Sequence, residues 1–387
     1  MDFALTDLQR NIQREVTELA QQYPLQYWLE KDRSATYPIE FVQAFASKGW
    51  LGATVPQEYG GAGLGIVEAA LILHAICASG AGTSGASPIH FSFFPAMPII
   101  KFGSDAMKSK YLPRIAAGDL VMAFGITEPT SGSDTSQIQT RAERAAGGWK
   151  IFGQKVWTTN AQRASKVLLL ARTDPRDDAH PFNGLTLFLA DLDRSFCTIH
   201  LIEKLGRAAV DSNEVFIDGL PVDDSDVVGE VGKGFHHLLD GLNSERIVIA
   251  MEAAGIGRWA IEFASAYARQ RIVFGRAIGQ NQAIAHPLAR CWARILAAEG
   301  LALKAAWLYD QGLPCASEAN AAKLLAADAG FDACDAALQT LGGFGYAREY
   351  HIERLWREVR LYRLAPISQE MALNFIAHHE LKLPKSY

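Results

Sequence analysis

The chain is predicted to be an α+β protein in which a sheet domain is inserted between two helical ones. Three changes of pattern support this. Residues 1–120 are mostly helical in period, with turn clusters at residues 55–63 and 95–98. Residues 121–230 turn to short apolar, β-branched or alternating runs separated by Asp, Gly and Pro. Residues 231–387 return to helical spacing and end in a polar tail. Helices, strands and helices in separate blocks fit α+β better than the alternation of βαβ units.

The first block opens with an amphipathic segment, Leu5, Leu8, Ile12, Val16 and Leu19, and contains an apolar run from Ala69 to Cys77 interrupted by His74. That run is expected to be too short to span a bilayer. In the middle block, residues 166–170, 185–189 and 214–217 read as strands. In the last, Ala250, Ala254, Gly257, Ile261, Ala264 and Ala268 recur at steps of four and three, a stripe of mainly small residues suited to close helix packing.

A length of 387 residues leaves room for two or three domains and a large core. With 49% hydrophobic and 20% charged residues, a net charge of −5 and no basic run, there is no electrostatic reason to expect a nucleic-acid or membrane partner. Cys77, Cys197, Cys291, Cys315 and Cys334 are odd in number and form no CxxC pair, a pattern of reduced thiols rather than disulfides or a metal site. The acid-bearing N-terminal segment has neither a signal-peptide nor a transit layout, so a cytoplasmic location is expected.

The most informative stretch couples a hydroxyl- and glycine-rich turn, Ile126-Thr-Glu-Pro-Thr-Ser-Gly-Ser-Asp134, to a strand, Gly153-Gln-Lys-Val-Trp-Thr-Thr-Asn160. Such a turn offers backbone N–H groups and hydroxyls to phosphate. Trp157 and the threonines beside it can cover and hydrogen-bond a flat ring system. In this order and spacing the two segments resemble the flavin signature of the acyl-CoA dehydrogenase family, and the likeness runs from Leu5 nearly to Tyr387. It implies a β-barrel-like middle domain, a C-terminal helical bundle and FAD as cofactor. Thr127 corresponds to the threonine at the flavin pyrimidine edge, Ser133 to the serine at the pyrophosphate and substrate, Trp157 to the tryptophan beside the isoalloxazine, and Thr159 to the hydroxyl near N5. Phe124, Ile126 and Gly132 fall among the backbone contacts of the same stretch. Thr130 stands where many relatives have glycine. Arg271, Phe274, Gln282, Gln339, Gly342 and Gly343 match adenosine-side contacts, which the family draws from a neighbouring subunit, so a homotetramer is implied; Gln369 matches the end of the family's C-terminal motif as a further cofactor contact.

The same resemblance implies removal of an α-proton from an acyl-CoA while the β-hydrogen leaves as hydride to the flavin. Many relatives hold the base in a C-terminal Tyr-Glu-Gly-Thr-Ser-Gln segment. Here Leu361-Tyr-Arg-Leu-Ala-Pro-Ile-Ser-Gln369 contains no acid and is one residue shorter. The branch that includes isovaleryl- and long-chain-acyl-CoA dehydrogenases carries the base on a helix just before an arginine, and Glu245-Arg246 falls there. Glu245 is thus the expected base, Arg246 a group orienting site or substrate, and Asn243 a contact to CoA. Glu370 is the competing acid. Pro366 lacks an N–H, which leaves Ala365 as the expected donor to the thioester oxygen.

A helix-borne base accompanies medium, long or branched acyl chains in relatives, which implies fatty-acid or branched-chain catabolism and an electron-transferring flavoprotein as acceptor. Phe91, Phe93, Phe94, Pro95 and Met97 either wall an acyl pocket or belong to the core. Two alternatives remain: an oxidase on the same fold, and a non-catalytic or hetero-oligomeric flavin-binding homologue.

Overall fold

The structure, a computed structural model, describes residues 4–385. Seven helices come first: α1 (Asp7–Ala20), α2 (Leu25–Ser34), α3 (Ile39–Ser47), α4 (Ile66–Ile76), α5 (Gly82–Phe93), α6 (Ala96–Phe102) and α7 (Asp105–Ala117). Eight strands follow: β1 (Met122–Gly125), β2 (Arg141–Ala145), β3 (Gly148–Thr159), β4 (Lys166–Arg172), β5 (Leu185–Asp191), β6 (Cys197–Leu201), β7 (Ser212–Asp223) and β8 (Val227–Val228). The bundle is α8 (Gly234–Gln270), α9 (Gln282–Asp310), α10 (Ala316–Leu341), α11 (Ile352–Val359) and α12 (Gln369–Phe375).

Local chemistry sets several of these limits. The hydroxyl of Thr6 accepts the Gln9 N–H while the Gln9 side chain accepts the Thr6 N–H, a reciprocal cap on α1. Ser104 caps α7 at its start, and Gly118 closes it with φ +82°. The first N–H groups of α4 are met from elsewhere in the chain: the Asp310 carboxylate, at the end of α9, accepts from Ile66 and Val67 at 2.8 and 3.0 Å. One helical block is thereby pinned to the other.

The strands order as β6-β7-β3-β2-β4-β5-β8, with β1 pairing parallel to β4. The path does not return on itself, so the expected barrel-like domain is an open sheet. Its centre is buried on both faces. Leu168 and Leu170 of β4 pack toward α6 and α7, while Val167, Leu169 and Ala171 face the opposite cluster, as strand alternation dictates.

The two helical blocks share one core, in which Leu71, Ile72 and Ile76 meet Ala250, Ala254, Ala326 and Ala329. The small-residue stripe on α8 allows this. A Cβ on Gly257 would lie 3.0 Å from the Gly330 Cα of α10, tighter than ordinary packing, so a larger residue there would push the two helices apart by a few tenths of an ångström. The apolar run around α4 is longer than expected. Helical structure extends from Ile66 to Phe102, broken at Gly80 with φ +91°, and is long and apolar enough by composition to cross a bilayer. It is core instead, with 83% of its most apolar window buried inside the protein.

Candidate active site

The turn and strand singled out in the sequence meet in space. The Val156 N–H donates to the Thr127 carbonyl at 2.9 Å, which ties the turn to β3 at the place where the pairing of β3 with β7 shifts register. That irregularity turns Trp157 outward: it has φ +61° and is 56% exposed, whereas Thr158 and Thr159, which follow it, are buried. Phe124, on β1, places its ring 4.6 Å from that of Phe94. Phe94, Phe91 and Met97 are half-buried beside it, while Phe93 belongs to the core.

The turn is fastened from below by residues the sequence reading passed over. Glu128 is buried and accepts from the Gln139 and Thr140 N–H groups at 2.7 and 2.9 Å and from Lys155 Nζ at 2.8 Å. Lys155 Nζ also donates to the Ile126 carbonyl at 3.0 Å. Burial favours the neutral form of both groups, yet ionised Lys155 and the donated hydrogen bonds hold the Glu128 carboxyl below the usual range. Lys155 itself is pushed down to about 8 because its burial outweighs its partner. Above this brace Gly132, Ser133 and Asp134 are exposed at the tip, and Asp134 caps the next turn through the Ser136 N–H at 3.1 Å.

Thr159 is held by a second group missed in the sequence. Arg207 donates to the Thr159 hydroxyl at 3.1 Å, to the Ser212 hydroxyl at 3.0 Å and to the Ser87 hydroxyl of α5 at 3.3 Å. Since the guanidinium only donates, Thr159 accepts here and keeps its own proton for another acceptor. One turn farther along α5 lies His90, whose Nε2 is 2.6 Å from Oε2 of Glu245. Glu245 is therefore buried at 6% exposure on the inner face of α8. Its rival Glu370 is exposed in the first turn of α12, where its own backbone N–H and the Ser368 cap lower its ionisation range.

Other expected site residues fall elsewhere. Arg246, about 100° around α8 from Glu245, donates to Asn243 at 2.8 Å and lines a separate cavity of about 250 Å³ with Asn320, Ile367 and Lys385. The expected oxyanion donor needs correction: the Ala365 N–H is already bonded to the Leu361 carbonyl at 3.0 Å, closing the turn after α11. Arg271, Phe274, Gly342 and Gly343 do come together, lining a groove of about 780 Å³ with Asn281 and Phe344. Gln282 and Gln339 are exposed near it without lining it. Gln369 is tied instead to Asp328 of α10 at 2.8 Å.

These residues suit a flavin dinucleotide. Trp157 leaves its indole more than half exposed two residues before the Thr159 hydroxyl. A Cβ built on Gly132, Gly342 or Gly343 meets nothing within 4 Å, so the backbone at all three borders open space where phosphates can approach. Arg271 adds a fixed positive charge to the groove.

Comparison with known proteins agrees with this chemistry. The models for the N-terminal, middle and C-terminal domains of acyl-CoA dehydrogenases match residues 6–119, 123–220 and 232–381. The chain is 36% identical over 390 residues to acyl-CoA dehydrogenase fadE12 of Mycobacterium bovis, covering 100% of this chain and 99% of that one. It superposes on glutaryl-coenzyme A dehydrogenase in complex with glutaryl-CoA with a TM-score of 0.94 at 28% identity, covering 100% and 98% of the two chains. A chain from a structure of the electron transferring flavoprotein of Acidaminococcus fermentans gives a TM-score of 0.93 at 28% identity, covering 99% and 100%. The flavin turn, the buried acid on α8 and the match along almost the whole length place this protein in the acyl-CoA dehydrogenase family, as an FAD-dependent oxidoreductase acting on acyl-CoA.

Proposed function

We propose that the protein dehydrogenates an acyl-CoA thioester between Cα and Cβ with Glu245 as the base, on a medium, long or branched acyl chain. The observation that carries this reading is the buried carboxylate of Glu245 on α8, in a chain whose C-terminal loop offers no acid and whose rival, Glu370, faces solvent. His90 occupies Oε2, so Oε1 is the oxygen for the substrate. As the α C–H bond breaks, its proton passes to Glu245. The β-hydrogen leaves with its electron pair, and the remaining pair forms the Cα–Cβ double bond. Bound FAD supplies the two-electron acceptor. Trp157 and Thr159 orient it, Phe94 and Phe124 exclude water on the acyl side, and Arg207 fixes the Thr159 hydroxyl.

Glu245 and Arg271 both belong to the α8 segment but lie about 39 Å apart at 1.5 Å rise per residue. This distance supports a shared site in which the groove of one subunit receives the adenosine end from its neighbour, as a homotetramer allows. The likeness to a chain solved with an electron transferring flavoprotein supports such a protein as the electron acceptor. Cytoplasmic fatty-acid or branched-chain catabolism is the matching setting.

The test is anaerobic bleaching of the flavin by acyl-CoAs of graded length and branching, in wild type and Glu245→Gln. Bleaching in wild type that is lost in a variant still holding FAD supports the reading. Equal bleaching in both removes Glu245 from the role, and bleaching in neither removes the dehydrogenase. Rapid reoxidation in air after bleaching would favour an oxidase.

A further inference from the structure

Glu245 is not the only acid on the inner face of α8. Glu252 follows two turns later on the same face, and His90 of α5 sits between them. Its Nε2 lies 2.6 Å from Glu245 Oε2 and its Nδ1 2.9 Å from Glu252 Oε1. The second contact has ion-pair distance without the alignment of a hydrogen bond, so Glu252 Oε1 has no donor among the described residues. Glu252 Oε2 accepts from the Tyr362 hydroxyl at 2.7 Å. All four side chains are buried: Glu245 6%, His90 5%, Glu252 2% and Tyr362 2% exposed.

We propose that His90 is the positioning residue of the base, holding Glu245 as an aimed carboxylate inside a closed pocket while Glu252 balances the imidazolium. The proposal rests on the reading of Glu245 as base.

A lone carboxylate buried this deeply takes up a proton and stops being a base near neutral pH. An imidazolium at 2.6 Å opposes that. Burial disfavours the imidazolium too, but the charges of Glu245 and Glu252 outweigh it and raise His90 to about 10. The ring therefore stays doubly protonated through the neutral range, and its Nε2–H donates to Glu245. A single cation facing a single carboxylate would be stranded once that carboxylate accepted a proton. Here the group of three carries a charge of −1 before the α-proton arrives and 0 afterwards, leaving a neutral His90–Glu252 pair. The geometry thus suits both the ionised and the protonated state of the base.

Other charges face the cluster from each packed element. Arg246 flanks Glu245 on α8, and Arg207 of the middle domain acts on Glu252 and Tyr362. Cys77, between α4 and α5, and Glu358 of α11 lie near Glu252 and Tyr362. Burial and these acids push both the Cys77 thiol and the Tyr362 hydroxyl upward, so both remain neutral.

Two readouts on the FAD-loaded enzyme test this. One is the pH profile of anaerobic flavin reduction by an acyl-CoA; the other is the infrared carboxylic-acid band of the substrate-free protein. In His90→Asn the acid limb of reduction is expected to move upward by roughly one pH unit or more, the effect of losing an opposite charge at this range. A carboxylic-acid band is expected to appear at mildly acidic pH and to vanish in His90→Asn/Glu245→Gln. An unmoved limb and an unchanged spectrum in folded His90→Asn overturn the proposal. Should that variant fail to fold, Glu252→Gln decides. Removing the second negative charge is expected to lower the limb and reduce the plateau rate, and no change in either overturns the proposal. Reduction at the wild-type rate by Glu245→Gln is a separate result, which overturns the base itself.

Discussion

Lys155 Nζ lies 2.8 Å from Glu128 Oε1 beneath the flavin turn, with the lysine side chain fully buried and that of Glu128 3% exposed. The pair is the floor on which Thr127, Gly132 and Ser133 are displayed. It acts through geometry: Glu128 gathers two backbone N–H groups of the returning chain, and Lys155 reaches the Ile126 carbonyl.

Lys155→Met removes one partner of this pair and leaves the Glu128 charge without its cation. Destabilisation of about 3–5 kcal/mol is expected, the range for breaking a buried ion pair, together with loss of bound FAD. The double variant Lys155→Met/Glu128→Gln should recover part of it, since the stranded charge is gone. Chemical denaturation and the ratio of flavin to protein absorbance measure both effects. Additive losses in the double variant would show that the two residues act independently.

Gly343→Glu addresses the groove. No atom lies within 4 Å of the position a Cβ would take there, so the chain is expected to fold with little change in stability. The new carboxylate would face the phosphates of the incoming cofactor and repel them. FAD content should fall at least tenfold while the apoprotein keeps its melting temperature within a few degrees, as surface changes of this kind cost about 0.5 kcal/mol or less. Full FAD retention would show that the groove does not receive the cofactor.

A pH effect is expected at Glu299, on α9. Its carboxylate accepts from His74 of α4 at 2.8 Å and from Arg258 Nε of α8 at 2.9 Å. Burial favours its neutral form, but the donors from His74 and Arg258 prevail and lower it from 4.5 to about 2. A depressed carboxyl stabilises the fold fully above its unfolded value, and the contribution is lost as pH falls through the folded value. Glu299→Gln should therefore cost about 3 kcal/mol at pH 7, since each pH unit between the two values is worth about 1.36 kcal/mol. The cost should shrink progressively between pH 4.5 and 2. Urea unfolding at several pH values tests this. A gap between wild type and variant that stays constant with pH would assign the loss to packing rather than charge.

Much of the active site could be located from local sequence because its elements are local. The turn at Ile126–Asp134 and the strand through Trp157 have chemistry and spacing that survive without knowledge of the fold. Glu245 is legible only through the family resemblance, which places a base just before an arginine on this helix; the missing acid in the C-terminal loop agrees with it. His90 escaped notice because it sits on an apolar helix, where one histidine reads as an ordinary core residue. The available signal was Glu252, an acid set between Ala250 and Ala254 on the buried face of α8, for a buried carboxylate requires a partner. Arg207 gave no comparable sign. It acts through the φ +59° turn that aims it at Thr159, and this depends on how the loop after β6 folds back. The donor assigned to Ala365 failed because the chain there winds one further turn, which uses the N–H locally.

By itself the sequence determined what periodicity and residue chemistry can carry: helices on either side of a sheet, a phosphate-ready turn and, beside it in the chain, a strand whose tryptophan and threonines can cover a flat ring. Tertiary structure decided the rest. It left the sheet open, merged the two helical blocks into one core, and brought His90, Glu245 and Glu252 together across two helices far apart in the chain. Hydrogen bonds and burial between distant segments depend on positions in space, and one-dimensional spacing does not specify them.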